Sequence, residues 1–375
     1  MPRVTAPFSA LVDQEVFAVD AHSTQLVVRA TTNEVVVDID QRQFTGQTTS
    51  GVAVIEVDGL EPDTSYRAVL SDADGRSLGE LHPRTRSSLG TVLSRFATVS
   101  DVHLGASSFG PAKNIKDHGD GYYSLRSGRA AVEHAVEWGA EIMLVKGDLT
   151  DTGIVEEWEL AEEMFRDIPI PFRITAGNHD QWKTREINPD EGAVMLNVSS
   201  DPVQTIDLDG VRLVLADTSI PDKGSGTVKP IAADLIDAVS ASTPSFVGLH
   251  HNIQRLPMPW FWPPGIPSNE ATPVLADMSA TNPRLFISSG HTHRNRRHQL
   301  GPGNAVTYTE VSSTADYPGV WAAYEVTERG IRQTVRRIAS PGALSWTEAT
   351  RAAIGGVWPR WSQGRLDDRC VDAEF

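Results

Sequence analysis

Short apolar runs separated by polar turns fill the first quarter of the chain. Their apolar residues are mostly β-branched and often alternate with polar ones, which is the period of a half-buried strand. Asp-Gly and Pro-Asp pairs between the runs indicate tight turns. Residues 15–89 are therefore predicted to form a small β-sandwich. Its predicted strands are LVVRA (26–30), EVVVDID (34–40), GVAVIEV (51–57), SYRAVLSD (65–72) and GELHPRTR (79–86).

After a polar linker at 86–94, the chain alternates between helix and strand periods, which is typical of an α/β domain. The last predicted helix opens with Ser345 and Glu348 at capping-box spacing. The predicted helices are 124–140, 155–168, 231–241, 272–280 and 345–356. The predicted strand-to-loop segments are 96–105, 141–148, 171–180, 244–252 and 284–294, with a hairpin at 202–219 and closing strands at 304–312, 320–327 and 331–338.

Side chains that bind metals follow five of these apolar runs. Carboxylate, imidazole and amide oxygen together suit Mn²⁺, Fe or Zn²⁺. One metal takes about four protein ligands, so the set fits two metals that share a bridging carboxylate, roughly 3.5–4 Å apart. Asp148, on a turn made tight by glycine, is the predicted bridge. The candidates are Asp101, His103, Asp148, Asn178, His250, His291 and His293.

Composition narrows the partners and the location. The formal net charge of −16 argues against a nucleic-acid partner and against an anionic membrane surface. No apolar run approaches the length of a bilayer span, and the N-terminus lacks the pattern of a signal peptide. The single cysteine, Cys370, excludes an intrachain disulfide framework. These features predict a cytoplasmic protein without a membrane partner.

The stretch GLEPDTSYRAVL (59–70) resembles the fibronectin type III family. In that family an L-x-P-x-T-x-Y motif leads into a late strand of the sandwich. The resemblance implies that residues 1–90 form such a β-sandwich domain and that its tyrosine forms a tyrosine corner. It implies a fold rather than a chemistry. The matching positions are Leu60, Pro62, Thr64 and Tyr66.

The order of the metal-type blocks between Asp101 and His293 resembles the calcineurin-like metallophosphoesterase family. That family carries D-x-H, then G-D-x-x, then G-N-H-[DE], then a lone histidine, then G-H-x-H, and all five blocks stand here in order. The resemblance implies a four-layer sandwich over residues 95–340, with two mixed β-sheets flanked by helices. Residues 341–375 follow as a C-terminal helix and tail.

The resemblance also implies a role for each candidate. His179 would not bind metal: it would donate to a phosphate oxygen or protonate the leaving alkoxide, and Asp180 would orient it. The first metal would be held by Asp101, His103, Asp148 and His293, and the second by Asp148, Asn178, His250 and His291.

Four further residues are candidates for contacts around the metals or with the substrate. His251, after the family's lone histidine, would support the ligands or face the substrate, and Asp151 would satisfy the second nitrogen of a ligating imidazole. Trp260 and Trp262, in a proline-rich loop, would stack a base or cover the site. A packing or interface role for this loop is an equal alternative. The Gly-rich stretch 105–123 is a candidate lid.

These features together predict a two-metal phosphodiesterase for a cyclic nucleotide or similar small phosphodiester, in which a hydroxide held by the metals attacks phosphorus in line. The compact layout resembles the bacterial cyclic-AMP phosphodiesterase branch. The amino-terminal domain resembles that of purple acid phosphatases, but Asp151 stands where those enzymes have a tyrosine ligand. The alternatives are a phosphomonoesterase, a nuclease, which the charge disfavours, and a non-catalytic interaction module, which the complete ligand set disfavours.

Overall fold

The computed structural model describes residues 14–110, 113–256 and 262–375. The chain divides after Ser87 into two compact units. The described part of the first unit contains strands and no helix. Its strands are β1 (Gln14–Val19), β2 (Thr24–Arg29), β3 (Glu34–Ile39), β4 (Arg42–Gln47), β5 (Val52–Val57), β6 (Ala68–Asp72) and β7 (Ser77–Leu81).

Two antiparallel sheets, ordered β1-β2-β5 and β4-β3-β6-β7, form the first unit. Alternate residues of both sheets, such as Leu26 and Val37, pack into one apolar core, which confirms the predicted all-β sandwich. β4 is absent from the predicted strands because its residues are mostly polar. The Tyr66 hydroxyl accepts a 2.7 Å hydrogen bond from the Glu61 backbone N–H, the geometry of a tyrosine corner.

The second unit contains two mixed six-stranded sheets, ordered β12-β11-β8-β19-β20-β21 and β13-β14-β15-β16-β18-β17. A short antiparallel pair, β9 with β10, stands apart from them. The strands are β8 (Val92–Val99), β9 (Ser108–Phe109), β10 (Ile115–Lys116), β11 (Met143–Lys146), β12 (Phe172–Thr175), β13 (Val203–Leu208), β14 (Val211–Ala216), β15 (Ser245–Leu249), β16 (Leu285–Ser289), β17 (Arg296–Leu300), β18 (Val306–Glu310), β19 (Val320–Thr327), β20 (Gly330–Arg337) and β21 (Cys370–Glu374).

The helices of this unit range from one to about four turns. None of those in the described residues is both long and apolar enough to cross a bilayer. They are α1 (Tyr123–Trp138), α2 (Val155–Phe165), α3 (Pro189–Met195), α4 (Ala232–Ala238), α5 (Ser268–Thr281), α6 (Pro341–Thr350), α7 (Ala353–Gly356), α8 (Trp358–Ser362) and α9 (Leu366–Arg369).

Two helix ends test the predicted boundaries. α1 ends at Gly139, whose φ of 95° is the left-handed conformation that glycine adopts without strain, as predicted. The predicted capping box of the C-terminal helix is wrong. α6 begins at Pro341 after Ser340, so Ser345 and Glu348 lie inside the helix. Proline at the first helical position sets the start because its missing N–H would have no intrahelical partner there.

The second unit has four layers, as the sequence predicted. α1 and α2 pack on the first sheet through residues such as Ala131 and Trp158. α4 and α5 pack on the second sheet. Between the sheets, the ring of Phe96 stacks on Tyr324 at 4.6 Å and meets Phe246 edge-on at 4.8 Å. Large aromatic side chains therefore fill the space between the two sheets.

Strand direction gathers the functional loops. β8, β11 and β12 run parallel in the first sheet, and β15 and β16 run parallel in the second. The carboxyl ends of parallel strands lie at one edge of a sheet, which is where open α/β sheets bind ligands. All five metal-type blocks follow these five strands.

The C-terminal strand, β21, belongs to the first sheet of the second unit. β21 pairs antiparallel with β20, and the Arg332 guanidinium contacts the Asp372 carboxylate at 2.7 Å across this pair. From the sequence this region is predicted to be a tail, because its acidic residues obscure the buried positions Cys370, Val371 and Ala373.

Candidate metal centre

The turns that carry the candidate ligands have strained backbones. A positive φ is uncommon for residues other than glycine and costs of order 1–3 kcal/mol where it is held. Here it recurs in the D-x-H, G-D and G-H-x-H blocks, where it turns side chains back towards the strand ends. The residues are Asp101 (54°), His103 (51°), Asp148 (48°), His291 (65°) and His293 (49°).

Two glycines allow the loops to approach one another closely. A Cβ on Gly177, in the G-N-H-D block, would overlap the carboxylate and backbone nitrogen of Asp148. A Cβ on Gly290, in the G-H-T-H block, would overlap the Ser100 hydroxyl and lie 2.6 Å from Asp101 Oδ2. These blocks therefore need glycine because any side chain would push the neighbouring loop away.

One group of donors gathers around Asp101. The Nε2 atoms of His103 and His293 lie 3.3 Å apart, and His293 Nε2 lies 3.3 Å from Asp101 Oδ1. Asp148 Oδ2 lies 3.9 Å from His103 Nε2. Asp101 is fully buried, and its carboxylate accepts the backbone N–H of His291 at 3.0 Å. The four predicted ligands of the first metal therefore converge.

The hydrogen-bond pattern of this group fits a cation. His293 Nδ1 lies 2.5 Å from Asp316 Oδ2, and His103 Nδ1 lies 3.4 Å from Asp151 Oδ1. A carboxylate accepts, so His293 Nδ1 donates to Asp316 and His293 Nε2 presents a lone pair, whereas His103 Nδ1 makes no hydrogen bond among the described residues. Lone pairs that face each other and a carboxylate oxygen repel unless a proton or a metal ion lies between them.

The second group centres on His250, which is fully buried. Its Nδ1 lies 2.9 Å from the Lys146 carbonyl oxygen, so Nδ1 donates there and Nε2 presents a lone pair. That lone pair faces Asn178 Oδ1 at 3.2 Å and Asp148 Oδ2 at 3.3 Å. Three acceptors again converge, which is the arrangement that a divalent cation satisfies.

His291 and His251 complete this side of the site. His291 Nε2 lies 2.8 Å from the Pro264 carbonyl oxygen, which leaves Nδ1 for a metal. His251 is fully buried and its Nδ1 pairs with the Thr218 hydroxyl at 2.9 Å. Its Nε2 has no hydrogen-bond partner among the described residues. The ligand atoms of His250, His251 and His291 all lie within 4.8 Å of one another.

Charge determines the protonation of these imidazoles in the metal-free protein. Burial lowers the pKa of His250, but the Asp148 carboxylate outweighs it and raises this pKa to about 9. His293 has a raised pKa because Asp316 and Asp101 outweigh its burial. Burial and the charge of His250 lower the pKa of His291 to about 4. In the metal-free protein at neutral pH, His250 and His293 therefore favour the imidazolium form, in which Nε2 carries a second proton that a metal must displace.

We expect metal affinity to rise with pH between neutral pH and about pH 9. Below its pKa of about 9, His250 carries a proton on the atom that the metal needs, so binding must release it. Calorimetry at pH 7 in buffers of different ionisation enthalpy should show release of at least about one proton per metal pair, with His250 as one source. Proton release near zero at pH 7 would show that these imidazoles are already neutral in the metal-free protein and would contradict the raised pKa of His250 and His293.

The predicted catalytic histidine lies at the edge of both groups. The His179 side chain is 38% exposed, and its ring meets the ring of His103 edge-on at 4.5 Å. Its backbone N–H donates to Asp148 Oδ1 at 2.8 Å, and its Nδ1 lies 2.8 Å from the Asp151 carbonyl oxygen. The His179 ring thus takes its orientation from this carbonyl.

Asp180 has other contacts than the predicted one. Its buried carboxylate accepts the backbone N–H groups of Thr150 and Gly177, both at 2.8 Å, and the Thr150 hydroxyl. Burial and the nearby Asp148 raise its pKa. These hydrogen bonds join the G-D and G-N-H-D loops, and Asp151 occupies the position beside His179.

The aromatic candidates divide between described and undescribed residues. Trp260 lies outside the described residues. Trp262 is 66% exposed, and its ring centre lies 5.7 Å from that of Trp361. In the candidate lid, β9 and β10 form a short hairpin, and Phe109 contacts Trp358 at 5.3 Å.

Two buried charges at the site were not predicted from the sequence. Asp316 contacts His293, but it stands in STADYPG, which has no ligand spacing. Lys146 is fully buried on β11, where its Nζ donates to the Ser288 hydroxyl at 2.7 Å and the Ser289 carbonyl at 3.1 Å. Burial lowers its pKa to about 7. A lysine directly before the G-D block was the available signal for the second.

A family model described as calcineurin-like phosphoesterase matches residues 94–295, which is more than half of the chain. The chain belongs to the calcineurin-like phosphoesterase family. This confirms the family predicted from the order of the five blocks. The matched region contains all the predicted metal ligands and His179, but it ends before Asp316 and the C-terminal helices.

The chain is similar in sequence to a curated phosphodiesterase and in fold to a solved phosphatase structure. The 3′,5′-cyclic adenosine monophosphate phosphodiesterase CpdA of Pseudomonas aeruginosa is 28% identical over 166 residues, which are 43% of this chain and 57% of that protein. A dimetal phosphatase from Danio rerio superposes with a TM-score of 0.50 at 12% identity, over 66% of this chain and 97% of that one. The purple acid phosphatase PPD1 of yellow lupin (Lupinus luteus) superposes with a TM-score of 0.45 at 10% identity, over 88% and 72% of the two chains.

Proposed function

We propose that the protein is a phosphoester hydrolase that uses two metal ions, and that its substrate is a cyclic nucleotide or a similar small phosphodiester. The observation that carries this proposal is the sharing of Asp148 between two groups of buried acceptors. One oxygen, Oδ2, lies 3.9 Å from His103 Nε2 and 3.3 Å from His250 Nε2. The half-exposed His179 lies beside this carboxylate, where a bound phosphate would meet it.

The two groups would hold different ions through one common residue. When bound, two such metals supply a water made acidic enough to act as nucleophile at neutral pH and a positive field for the charge that develops on phosphoryl oxygens. Imidazole, carboxylate and amide donors suit Mn²⁺, Fe or Zn²⁺. The first ion would lie among Asp101, His103, Asp148 and His293, and the second among Asp148, Asn178, His250 and His291.

His179 would handle the substrate's oxygens. Because its Nδ1 donates to the Asp151 carbonyl, Nε2 is the atom left for the substrate. In its imidazolium form, this Nε2–H can donate to a phosphoryl oxygen or transfer its proton to the leaving oxygen. The carbonyl fixes the orientation of the ring before the substrate binds, so the ring loses little rotational freedom on binding.

The choice of a diester rests on two observations. The curated relative named above is a cyclic-AMP phosphodiesterase, and its 166-residue match supports a cyclic nucleotide as the substrate class. The residue at the position of the purple-phosphatase tyrosine is Asp151, whose carboxylate lies 3.4 Å from His103 Nδ1. This carboxylate therefore lies beside an imidazole and leaves no phenolate to hold ferric iron.

We expect purified protein loaded with Mn²⁺ to hydrolyse a nitrophenyl phosphodiester faster than the matched monoester, and to hydrolyse cyclic AMP. The relevant measurement is kcat/KM for the three substrates under one condition, with Asp148→Ala as the blank for contaminating hydrolases. Preference for the monoester would overturn the diester assignment and favour a phosphomonoesterase. No turnover of any substrate by protein with two metals bound would overturn the proposed reaction.

A further inference from the structure

The short helix α8 and the following Gln363 (residues 358–363) are here called the C-terminal turn. This turn lies against the loops that surround the first metal group. It follows the region that the family model matches. The Trp361 indole N–H donates to the carbonyl of Thr292, between the two histidines of the G-H-T-H block, at 2.9 Å. The backbone N–H of Asn295 donates to the Ser362 carbonyl at 2.9 Å. The C-terminal turn therefore holds the G-H-T-H block through hydrogen bonds to Thr292 and Asn295.

The decisive contact of this turn passes through a buried carboxylate. The Trp358 indole N–H donates to Asp316 Oδ1 at 2.7 Å, and Asp316 Oδ2 accepts from His293 Nδ1 at 2.5 Å. Asp316 is fully buried and Trp358 is 6% exposed. Each carboxylate oxygen thus has one donor, and the two donors lie on opposite sides of it.

We propose that Asp316 and Trp358 are positioning residues that hold His293 in the tautomer that can bind metal. The inference rests on the proposed function in taking His293 as a ligand. Asp316 keeps the hydrogen of His293 on Nδ1, so Nε2 presents its lone pair to the first metal. Trp358 occupies the other oxygen and prevents the carboxylate from turning.

The replacement Asp316→Asn tests this arrangement because an amide has one acceptor and one donor. The indole N–H of Trp358 can only donate, so the amide oxygen must face it. The amide N–H₂ then faces His293 Nδ1, which must accept. The hydrogen of His293 moves to Nε2, the atom that lies 3.3 Å from Asp101 Oδ1. The variant should therefore hold His293 in the wrong tautomer with little change of shape.

We expect Asp316→Asn to weaken binding at the first metal site, which includes His293, by about 10- to 100-fold. This is the range seen when groups that orient metal ligands are removed. The other site should keep its affinity. Titration of metal-free protein with Mn²⁺ measures both affinities. Nitrogen NMR of histidine-labelled, metal-free protein, at a pH high enough for His293 to be neutral, reports which ring nitrogen of His293 carries hydrogen. His293→Gln assigns that signal.

A double variant separates positioning from general damage. With Trp358→Phe added, nothing obliges the amide oxygen to face away, so it can turn to His293 Nδ1 and restore the tautomer. Asp316→Asn/Trp358→Phe should thus bind the weakened metal about tenfold more tightly than Asp316→Asn alone. Trp346→Phe is the matched control because its indole also donates a buried 2.7 Å bond, to the Ala315 carbonyl. Added to Asp316→Asn, it should restore nothing.

The results separate this inference from the proposed reaction. Unchanged metal affinities and an unchanged His293 tautomer in Asp316→Asn would overturn it, as would equal recovery with Trp346→Phe. A wild-type protein that binds two metals, loses one in Asp316→Asn and hydrolyses no phosphoester would support the positioning role and refute the proposed function. Wild-type protein that binds no metal would overturn both.

Discussion

Asp148→Ala is expected to abolish binding of both metals and to lower kcat/KM by at least about 10³-fold. Its Oδ2 lies within 3.9 Å of His103 Nε2 and 3.3 Å of His250 Nε2, so one residue serves both donor groups. Its Oδ1 accepts the backbone N–H of His179 at 2.8 Å. One truncation therefore removes a ligand from each site and a support of the catalytic histidine.

Metal content and turnover must be measured on the same sample. Elemental analysis after equilibration with buffered Mn²⁺ gives the number of ions bound, and initial rates give kcat/KM. Asp148→Asn is the companion variant because it keeps the volume and loses the second carboxylate oxygen and the charge. Asp207→Ala is a surface control, since that side chain is 67% exposed and pairs with Arg212. Full occupancy of both sites in Asp148→Ala would show that the bridge assignment is wrong.

Loss of Asp148 also changes the stability of the metal-free protein. This change can be measured separately from the loss of bound metal. Its carboxylate has a strongly lowered pKa: burial opposes this, but the charges of His250 and His179 outweigh it. A lowered carboxyl pKa stabilises the folded state above the unfolded value, and this is lost as the pH falls through the folded one. Thermal unfolding of metal-free wild type and Asp148→Ala at pH 7 measures that contribution without any metal.

The order of the blocks was predictable because each block is local. A strand that ends in Asp-x-His or Gly-Asp places its ligand at the strand's carboxyl end, whatever the rest of the chain does. Strand direction then gathers the ends. The positive φ of Asp101 and Asp148 could not be predicted in the same way, because a strained turn is held by contacts between loops.

The missed features depend on contacts between distant parts of the chain. Asp316 meets His293 across 23 residues, and Trp358 meets Asp316 across 42. Neither separation leaves a periodic signal. β21 was missed because its edge position leaves Asp372 and Glu374 partly or fully exposed. The misplaced capping box shows the converse: Ser345 and Glu348 have the right spacing, but Pro341 starts the helix earlier.

His179→Ala is expected to keep both metals and to lower kcat by about 10²- to 10⁴-fold, with a smaller change in KM. Among the described residues, its side chain makes no hydrogen bond to a candidate metal ligand. Its Nδ1 is engaged by the Asp151 carbonyl, so the truncation removes a substrate-facing group and leaves the ligands in place. The size of the loss should depend on the leaving group, and that dependence decides between the two roles open to Nε2.

A nitrophenolate leaves without a proton, whereas the sugar oxygen of cyclic AMP needs one. If His179 protonates the leaving oxygen, His179→Ala should lose far more activity on cyclic AMP than on the nitrophenyl diester. If it only donates a hydrogen bond to a phosphoryl oxygen, the two losses should be equal. His82→Ala, on a side chain that is 63% exposed in the first unit, controls for loss of an imidazole. Wild-type turnover of both substrates by His179→Ala would show that His179 takes no part in the reaction. Loss of bound metal in this variant would show instead that His179 supports the metal sites.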